Sequence, residues 1–359
     1  FNVVRARGRE AEQARLAEAI VADIGRHGVR LGRRRLTSIF LGGGTPSLME
    51  PAAVAAVIAA AGAAFAPAGD LEVTLEANPT DAEAERFADL ARAGVTRLSL
   101  GVQSFDDAAL RFLGRNHGSA EARRAAGVAA AAFGRVSLDL IYARPGQTTD
   151  DWRRDLDEAL AFAPEHLSPY QLTVEAGTAF GRAVARGAWA PADDGAGADL
   201  YDQTQVVLGA AGLEAYEVSN HARSPAARSR HNLSIWRGGD YAGVGPGAHG
   251  RLTLDGARHA TIAAGGVADY LGRIESGRSP WVDDQRLTPQ ESAEERVMLG
   301  LRIREGVEIA ALEALGLSTT DDRVAPLLHD GLMVVNDGRL AATETGRPLL
   351  DSLVRALLA

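Results

Sequence analysis

Hydrophobic residues recur in two patterns along the first half of the chain, and together they predict alternating strands and helices. Short runs rich in β-branched and large apolar residues predict strands at 38–41, 71–76, 97–102, 136–142 and 166–172. Ala-rich stretches predict helices at 9–27, 51–65, 81–93, 106–113, 119–132 and 150–162. Strands that alternate with helices, at about 30 residues per unit, are typical of a parallel sheet and of a barrel or part of one.

The pattern changes after about residue 175. Residues 177–212 read as mostly helical, whereas 216–250 are rich in Gly, Ser, Asn, His and Arg, which predicts a long ordered loop region. From about 285 we expect a compact helical unit with a hairpin turned at Asn336-Asp337-Gly338 and a last helix at 345–358. The chain is therefore expected to divide into three parts: a partial barrel at 1–175, a barrel extension on the ligand side at 176–284, and a small winged-helix-like domain at 285–359.

Composition and charge narrow the classes of function. Apolar residues make up 46% and charged residues 24% of the chain, and no run approaches the roughly 18 apolar residues of a membrane span. The formal net charge of −9 disfavours a nucleic-acid partner. There is no cysteine, so the chain can form neither a disulfide nor a thiolate metal site. No targeting pattern is visible, from which we expect a cytoplasmic protein.

Polar residues stand at the carboxyl ends of four predicted strands, where parallel α/β folds place their active sites. Residues 42–45, Gly-Gly-Gly-Thr, end the first strand. Three glycines let the backbone approach a small charged ligand closely, although a tight strand-to-helix turn would use them equally well. Glu76 ends the second strand and can accept hydrogen bonds from an ammonium group or a ribose. The alternative at this position is a cap and turn built by residues 78–81.

Three more candidates lie at or near the third and fourth strands. Gln103 can donate and accept hydrogen bonds at once, which suits ribose hydroxyls. Arg115 can bind a carboxylate in bidentate geometry or form a surface salt bridge, and His117 beside it is expected to be a packing residue. Asp139 is a single acid in an apolar strand, where a carboxylate is costly unless it is paired or used. A ribose diol is one expected partner; Arg115 or backbone N–H groups are the other.

A region near residue 240 combines many glycines with histidines and aromatic residues. It contains His231, Trp236, Tyr241 and His249. Two histidines, a tryptophan and a tyrosine can form a pocket for a large flat ligand, and histidine is a common axial ligand of haem iron. From composition alone, a packed loop in which backbone groups satisfy His231 is the alternative.

The order of these motifs resembles the oxygen-independent coproporphyrinogen oxidase-like family of radical S-adenosylmethionine proteins. The resemblance covers about residues 1–305 and is carried by GGGTPS, EANP, GVQSF, LGRNH, SLDLIYARPGQT, HLSPYQLT, YEVSNHA and RHNLSIWRGGDYAGVGPGAHG. It implies an α/β fold, an incomplete TIM-like (β/α)6 barrel with a small C-terminal domain, that holds a [4Fe–4S] cluster and S-adenosylmethionine. By position, the resemblance implies that Gly43, Gly44 and Thr45 contact the methionine end of S-adenosylmethionine, with Glu76 nearby. It also implies that Arg115 binds the carboxylate of this cofactor and that Gln103 and Asp139 hold its ribose.

The cluster motif of that family, Cys-x3-Cys-x2-Cys, is absent from the chain. In the family it precedes an aromatic residue and Asn, and Phe1-Asn2 matches the residues after its third cysteine. We therefore expect the first strand and the cluster loop, on the order of 15–25 residues, to precede Phe1. Without them, no thiolate of this chain can hold a cluster. A relative that has lost its cluster is the alternative.

Within the family, the short form and the Asp-Tyr-Ala-Gly-Val-Gly-Pro-Gly run favour the HemW-type haem chaperone branch. Residues 231–236 match that branch's His-Asn-x-x-Tyr-Trp except at Ile235. The branch implies a protein that binds haem through the 231–249 region, by His231, Trp236 and His249, and delivers it to an acceptor protein, which can be membrane-associated. The alternative is an oxygen-independent coproporphyrinogen III oxidase, an enzyme that decarboxylates porphyrinogen propionates.

Overall fold

A computed structural model describes residues 10–359, and these fall into two compact units. The first, here called the sheet unit, comprises Phe40–Pro51 and Glu72–Arg228. The second unit comprises residues 10–39, 52–71 and 229–359. Phe1-Asn2, the pair that matches the residues after the family's cluster motif, lies outside the described residues.

A seven-stranded sheet, most of which belongs to the sheet unit, contains all five predicted strands and confirms them. In chain order its strands are β1 (Arg35–Leu41), β2 (Ala66–Ala77), β3 (Arg97–Gln103), β4 (Val136–Tyr142), β5 (His166–Gln171), β6 (Glu214–Ala215) and β7 (His221–Ala222). Their order across the sheet is β1-β2-β3-β4-β5-β7-β6. Strands β2 to β5 pair in parallel, whereas β7 pairs antiparallel with both β5 and β6. The parallel strands form the predicted incomplete barrel.

Helices connect the parallel strands, as the Ala-rich stretches predict. The first nine are α1 (Glu10–Leu31), α2 (Pro51–Ala64), α3 (Asp81–Ala84), α4 (Phe87–Arg92), α5 (Asp107–Phe112), α6 (Ser119–Ala132), α7 (Thr149–Ala161), α8 (Ala179–Ala185) and α9 (Asp194–Ala210). The single helix predicted at 81–93 is two short helices, α3 and α4. Glu85 and Arg86 between them keep right-handed helical dihedrals, so the chain direction changes little.

The two faces of the sheet differ in chemistry because side chains alternate along each strand. Leu98 and Leu100 of β3 and Leu138 and Leu140 of β4 are at most 1% exposed. They belong to the core under α6 and α7, the helices that pack on these strands. The residues between them along the strands are polar and point to the opposite, inner face. That inner face is where a ligand can meet the sheet.

The second unit contains an antiparallel sheet that the sequence pattern did not predict. From residue 229 onward, the elements of this unit begin with α10 (Arg230–Trp236), β8 (His249–Leu254), β9 (Ala257–Ala263), α11 (Val267–Glu275) and β10 (Trp281–Arg286). The strand order is β10-β9-β8. The predicted loop at 216–250 is wrong at α10, because the Ser229 hydroxyl accepts a hydrogen bond from the Asn232 N–H and caps a helix there. His231 and Trp236 therefore lie on a helix.

The C-terminal part confirms the predicted hairpin among helices. Its elements are α12 (Pro289–Gly300), β11 (Val307–Glu308), α13 (Ile309–Glu313), α14 (Ala325–His329), β12 (Met333–Asn336), β13 (Arg339–Ala342) and α15 (Leu350–Leu358). The three strands pair in the order β11-β13-β12, as in a small winged-helix-like module. Among the described residues, no helix is both long and apolar enough to cross a membrane.

Candidate functional site

Strand register places a row of polar side chains on the inner face of the sheet. Glu76 of β2 lies opposite Ser99 of β3, and Ser99 lies opposite Ser137 of β4. Asp139 of β4 lies opposite Ser168 of β5. Since parallel strands in register bring equivalent positions side by side, residues that are far apart in the sequence form one continuous polar surface.

The glycine loop after β1 is held against Glu76. The Gly43 N–H donates a hydrogen bond of 3.2 Å to the Glu76 carboxylate, and Gly43 adopts a left-handed φ of +87° that favours glycine. A Cβ on Gly42 would lie 2.6 Å from the Phe40 ring and 2.9 Å from Glu76 Oε2. A Cβ on Gly43 or Gly44 would meet no described atom within 4 Å. The loop therefore needs glycine on its sheet side and presents open backbone on the other.

Gln103 ends β3 in a strained conformation that turns its side chain back over the strand. Its φ is +68°, which is uncommon for a residue with a Cβ. A Cβ on Gly101 would lie 2.7 Å from Gln103 Nε2, so the side-chain amide occupies the space that Gly101 leaves open. Strained residues of this kind cluster at ligand sites.

Arg115 is a half-buried cation without an anionic partner in the described part of the chain. Gly114, with a φ of +67°, ends α5 and turns the chain into Arg115. The Arg115 Nε is buried and has no hydrogen-bond partner among the described residues. Burial lowers the pKa of Arg115, and the charge of Asp139 opposes that shift. His117 is buried with Nε2 3.2 Å from the Val102 carbonyl oxygen, which fits the packing role expected for it.

Asp139 is held by hydroxyl groups. The Ser99 and Ser137 hydroxyls donate hydrogen bonds to its two oxygens, at 2.8 and 3.2 Å. Arg115 and backbone N–H groups, the alternative to a ribose diol, form no hydrogen bond to Asp139 in the described part of the chain, where neighbouring strands supply hydroxyl donors that only the register reveals. Burial raises the pKa of Asp139, and the serine hydroxyls oppose the shift. Burial also raises the pKa of Glu76, with a smaller contribution from the negative charge of Asp139.

Two buried carboxylates that the sequence analysis did not single out tie the strand-end loops together. The first, Glu83 on α3, is 3% exposed. It accepts hydrogen bonds from the Ser47 hydroxyl in the loop after β1, from the Asn78 N–H after β2 at 2.8 Å, and from the Thr80 hydroxyl. Thr80 also caps α3, so the spacing Thr-x-x-Glu marks this residue in the sequence.

The second carboxylate, Asp155 on α7, joins the loops after β3 and β4. It accepts hydrogen bonds of 2.8 Å from both the Ser104 hydroxyl and the Phe105 N–H, and it forms an ion pair of 3.2 Å with Arg144. Asp155 and Arg144 are both buried. Positive φ values occur at Gln103, just before Ser104, and at Ala143, just before Arg144. Asp155 therefore holds two strained strand ends in place.

The residues proposed for haem lie in the second unit. His231 and Trp236 are half-buried on α10, and His249 is exposed at the start of β8. The Arg302 guanidinium lies 5.5 Å from the centre of the Trp236 ring. Trp236 Nε1 is buried without a hydrogen-bond partner among the described residues. The structure thus places the two histidines on different elements of one unit.

Comparisons with known proteins show the family to which the chain belongs. The Radical SAM superfamily profile matches residues 4–159, and the HemN C-terminal domain profile matches residues 287–349. The mouse protein named radical S-adenosyl methionine domain-containing protein 1, mitochondrial, is 39% identical over 91% of this chain and 76% of its own length. The heme chaperone HemW of Escherichia coli is 38% identical over 91% of this chain and 85% of its own. The chain belongs to the HemW branch of the radical S-adenosylmethionine proteins.

A solved structure shows the fold of this HemW-branch chain. Coproporphyrinogen III oxidase (HemN) from Escherichia coli superposes with a TM-score of 0.78, covers 98% of this chain and 84% of its own, and shares 19% identity. The partial barrel and the C-terminal domain predicted from the sequence are therefore confirmed. At that identity the likeness concerns the fold alone.

The superfamily implies S-adenosylmethionine and a [4Fe–4S] cluster, and the described residues fit only the first. The Arg115 guanidinium, whose Nε has no described partner, the open backbone at Gly43 and Gly44, and an acceptor at Asp139 match a ligand with a carboxylate, an ammonium group and a diol. The chain has no cysteine, and its described part holds no group of three or more His, Asp or Glu that could bind a metal. The residues present therefore do not fit an iron–sulfur cluster.

Proposed function

We propose that this chain is a haem chaperone, which binds haem and delivers it to an acceptor protein. The observation that carries the proposal is its similarity to proteins named heme chaperone HemW. It is 38% identical to that of Escherichia coli over 91% of the chain, and 37% identical to that of Mycobacterium tuberculosis over 95%. Proteins this similar over nearly their whole length share a fold and, as a rule, the chemistry of their sites.

His231 is the proposed axial ligand of the haem iron, with Trp236 and His249 as further contacts. His231 lies half-buried on α10, and histidine is a common axial ligand of haem iron. The half-buried Trp236 ring, whose Nε1 has no hydrogen-bond partner in residues 10–359, offers an apolar surface with one donor to a flat ligand. His249, which is exposed, can supply a second nitrogen ligand or a polar contact.

The sheet unit is the proposed site for S-adenosylmethionine. Gly43, Gly44 and Thr45 would contact its methionine end, with Glu76 at the ammonium group. Arg115 would pair with the carboxylate, since its Nε has no described partner. Gln103 and Asp139 would hold the ribose, because Gln103 can donate and accept and Asp139 accepts. The ligand supplies the chemistry of its sulfonium centre, whereas these residues bind and orient it.

Titration with ferric haem tests the chaperone proposal on the chain as it stands. Haem is added up to one equivalent while the Soret band is recorded. We expect a shifted Soret band in the wild type, and in His231→Ala a band that is weaker or displaced, with a Kd at least about tenfold higher because an iron–nitrogen bond is lost.

A histidine outside the proposed site provides the matched control. His329 is exposed at the end of α14 in the C-terminal module, and His329→Ala is expected to bind haem as the wild type does. If the wild type does not bind haem, the chaperone proposal is wrong. If His231→Ala and His249→Ala both bind like the wild type, the ligand assignment is wrong even though haem binds.

A further inference from the structure

A continuous chain of hydrogen bonds leads from the interior of the sheet unit to Asp139. The Tyr216 hydroxyl lies 2.9 Å from His166 Nε2, and His166 Nδ1 lies 2.7 Å from the Ser137 hydroxyl. The Ser137 hydroxyl in turn donates to Asp139 Oδ1 at 3.2 Å and lies 2.9 Å from the Ser168 hydroxyl. The side chains of His166 and Ser137 thus connect the buried phenol of Tyr216 with a carboxylate of the candidate site.

The side chains that form this series of hydrogen bonds are removed from solvent. Tyr216, His166 and Ser168 are each 2% exposed, and Ser137 is fully buried. A buried polar group that lacks a partner destabilises the fold, so each donor and acceptor in such a network has to be matched. The hydrogen-bond directions can therefore be assigned by matching donors with acceptors.

The imidazole of His166 is neutral, since burial together with nearby positive charge lowers its pKa well below the usual value. The positive charges that face it are those of Arg97 and Arg135, and His221 adds to them when protonated. The carboxylate of Glu72 lies beside both arginines and pairs with Arg135 at 2.9 Å. A neutral imidazole has one N–H and one acceptor nitrogen. Each tautomer of His166 therefore allows only one donor-to-acceptor direction along the series of hydrogen bonds.

The tautomer of His166 decides whether the Ser137 hydroxyl can point at Asp139. If Nδ1 carries the proton, it donates to the Ser137 oxygen, and Nε2 accepts from the Tyr216 hydroxyl. The Ser137 hydroxyl is then free to donate to Asp139, while its oxygen accepts from His166 and from Ser168. With the proton on Nε2, the Ser137 hydroxyl would have to donate to Nδ1, and Asp139 would be left with the hydroxyls of Ser99 and Ser168 as donors.

We propose that Tyr216, His166 and Ser137 are positioning residues that hold Asp139 as a fixed acceptor for a ribose diol. Ser99 donates to one oxygen of Asp139, and the chain from Tyr216 fixes the other through Ser137. With both oxygens anchored, the remaining lone pairs keep one orientation toward the inner face of the sheet. The proposal rests on the S-adenosylmethionine site proposed above and extends it to three residues that do not touch the ligand.

The tautomer of His166 can be measured without any ligand. Protein labelled with 15N in its histidine rings is compared with His166→Gln, which identifies the His166 signals among those of the eight histidines. We expect correlations of a neutral ring protonated at Nδ1. A ring protonated at Nε2 would overturn the proposed direction, whatever the ligand does.

Tyr216→Phe tests the effect on the ligand because it removes only the phenolic hydroxyl. The probes are S-adenosylhomocysteine and its analogue without the two ribose hydroxyls, each titrated by calorimetry. We expect the Kd of S-adenosylhomocysteine to rise about fivefold, the effect of about one hydrogen bond, and the Kd of the analogue to change by less than about twofold. A general loss of structure would weaken both ligands equally, and that result would overturn the positioning role.

Tyr270→Phe is the matched control. Tyr270 is fully buried in the second unit, and its hydroxyl donates to Asp23 at 2.8 Å, so the substitution removes the same group from an equally buried hydrogen bond. We expect it to leave both Kd values unchanged. Asp139→Asn tests the ribose contact separately from the hydrogen bonds that lead to Asp139. If this variant binds S-adenosylhomocysteine as the wild type does, the ribose assignment is wrong. The tautomer measurement still decides whether the series of hydrogen bonds exists.

Discussion

Gln103 lies over the inner face of the sheet because its neighbour two residues earlier in the strand has no side chain. A Cβ on Gly101 would come within 2.7 Å of Gln103 Nε2 and stay 3.5 Å from the Ala77 carbonyl oxygen. The close contact involves only the far end of a flexible side chain, so an added methyl group displaces the amide without disturbing the backbone. Single glycines of this kind determine where a ligand-binding side chain can lie.

Gly101→Ala is expected to weaken the binding of S-adenosylhomocysteine without unfolding the protein. If the Gln103 amide contacts the ribose, its displacement removes one or two hydrogen bonds, and the Kd should rise about five- to tenfold. The midpoint of thermal unfolding should change little. Calorimetric titration and a thermal melt measure the two quantities on the same samples.

Gly127→Ala is the control for that substitution. Gly127 is exposed in the middle of α6, where a Cβ would meet no described atom within 4 Å. Alanine in a helix interior is favoured over glycine by about 0.5–1 kcal/mol, so this variant should be slightly more stable and bind like the wild type. If Gly101→Ala also binds like the wild type, Gln103 is not a ribose contact.

Glu76 should make ligand affinity depend on pH. Its pKa is raised above the usual value, mainly by burial, so it becomes protonated at a higher pH than an exposed glutamate does. Since only the ionised form attracts an ammonium group strongly, the Kd of S-adenosylhomocysteine should rise as the pH falls from about 7 toward about 5. Glu76→Gln should bind more weakly at neutral pH and show a flatter profile, with the remaining slope due to Asp139.

The same pKa shift has the opposite consequence for stability without ligand. The folded protein binds the Glu76 proton more tightly than the unfolded chain does. The contribution of Glu76 to stability is therefore largest at low pH and is lost as the pH rises through its raised pKa. Urea unfolding of the wild type and Glu76→Gln at several pH values measures this difference.

The affinity prediction has its own contradicting outcome. A wild-type Kd for S-adenosylhomocysteine that stays constant between about pH 7 and about pH 5 would contradict the placement of Glu76 at the ammonium group.

At the level of helices and strands, the site depends on carboxylates supplied by helices. Glu83 on α3 joins the loops after β1 and β2, and Asp155 on α7 joins those after β3 and β4. Each loop leaves a strand at the same edge of the sheet, and without these carboxylates the Asn78 and Phe105 N–H groups would lose an acceptor. The helices therefore cover the sheet and also fix the relative positions of neighbouring loops.

Asp155→Asn should destabilise the sheet unit strongly. The change removes the negative charge beside the buried Arg144 guanidinium, and losing one partner of a buried ion pair costs about 3 kcal/mol or more. Asp157→Asn on the same helix removes a charge that pairs with Arg153 at an exposed position, so it should change stability by less than about 0.5 kcal/mol. Urea unfolding compares the two variants, and equal effects would show that Asp155 does not link the loops.

Local pattern predicted the parallel strands because each is a run of apolar residues with a helix on either side. It missed β10, where only the first two residues of Trp281–Arg286 are apolar and most positions are exposed. It also missed α10, a seven-residue helix within a Gly-rich region, which is too short to show a helical period. Short elements of this kind are stabilised by their neighbours rather than by their own sequence.

The candidate site was predictable to the extent that it sits at strand ends. Asp139 could be singled out as a lone acid in an apolar strand, but its serine partners could not. Ser99 and Ser137 meet it only through the register of β3 and β4, which no local pattern specifies. For the same reason, the sequence pattern does not distinguish His166 from any other strand residue. Its connection to Asp139 becomes visible only when the strands are paired.

For the molecule as a whole, the two proposed ligands belong to different compact units. The residues proposed for S-adenosylmethionine all lie in the sheet unit, and those proposed for haem all lie in the second unit. A ligand that binds only the folded form stabilises the structure around it by about 2.7 kcal/mol at a hundredfold excess over its Kd. Each ligand should therefore slow local opening in its own unit.

Hydrogen exchange measured by mass spectrometry tests this separation. With S-adenosylhomocysteine present, we expect peptides from the ends of β3 and β4 to exchange more slowly, whereas haem should protect peptides that contain α10. Asp139→Asn should lose the first protection and keep the second, and His231→Ala should do the reverse. Protection of α10 by S-adenosylhomocysteine would mean either that this ligand contacts the second unit or that the units are energetically coupled. Haem titrations with and without S-adenosylhomocysteine distinguish these cases, since coupling requires each ligand to change the affinity of the other by the same factor.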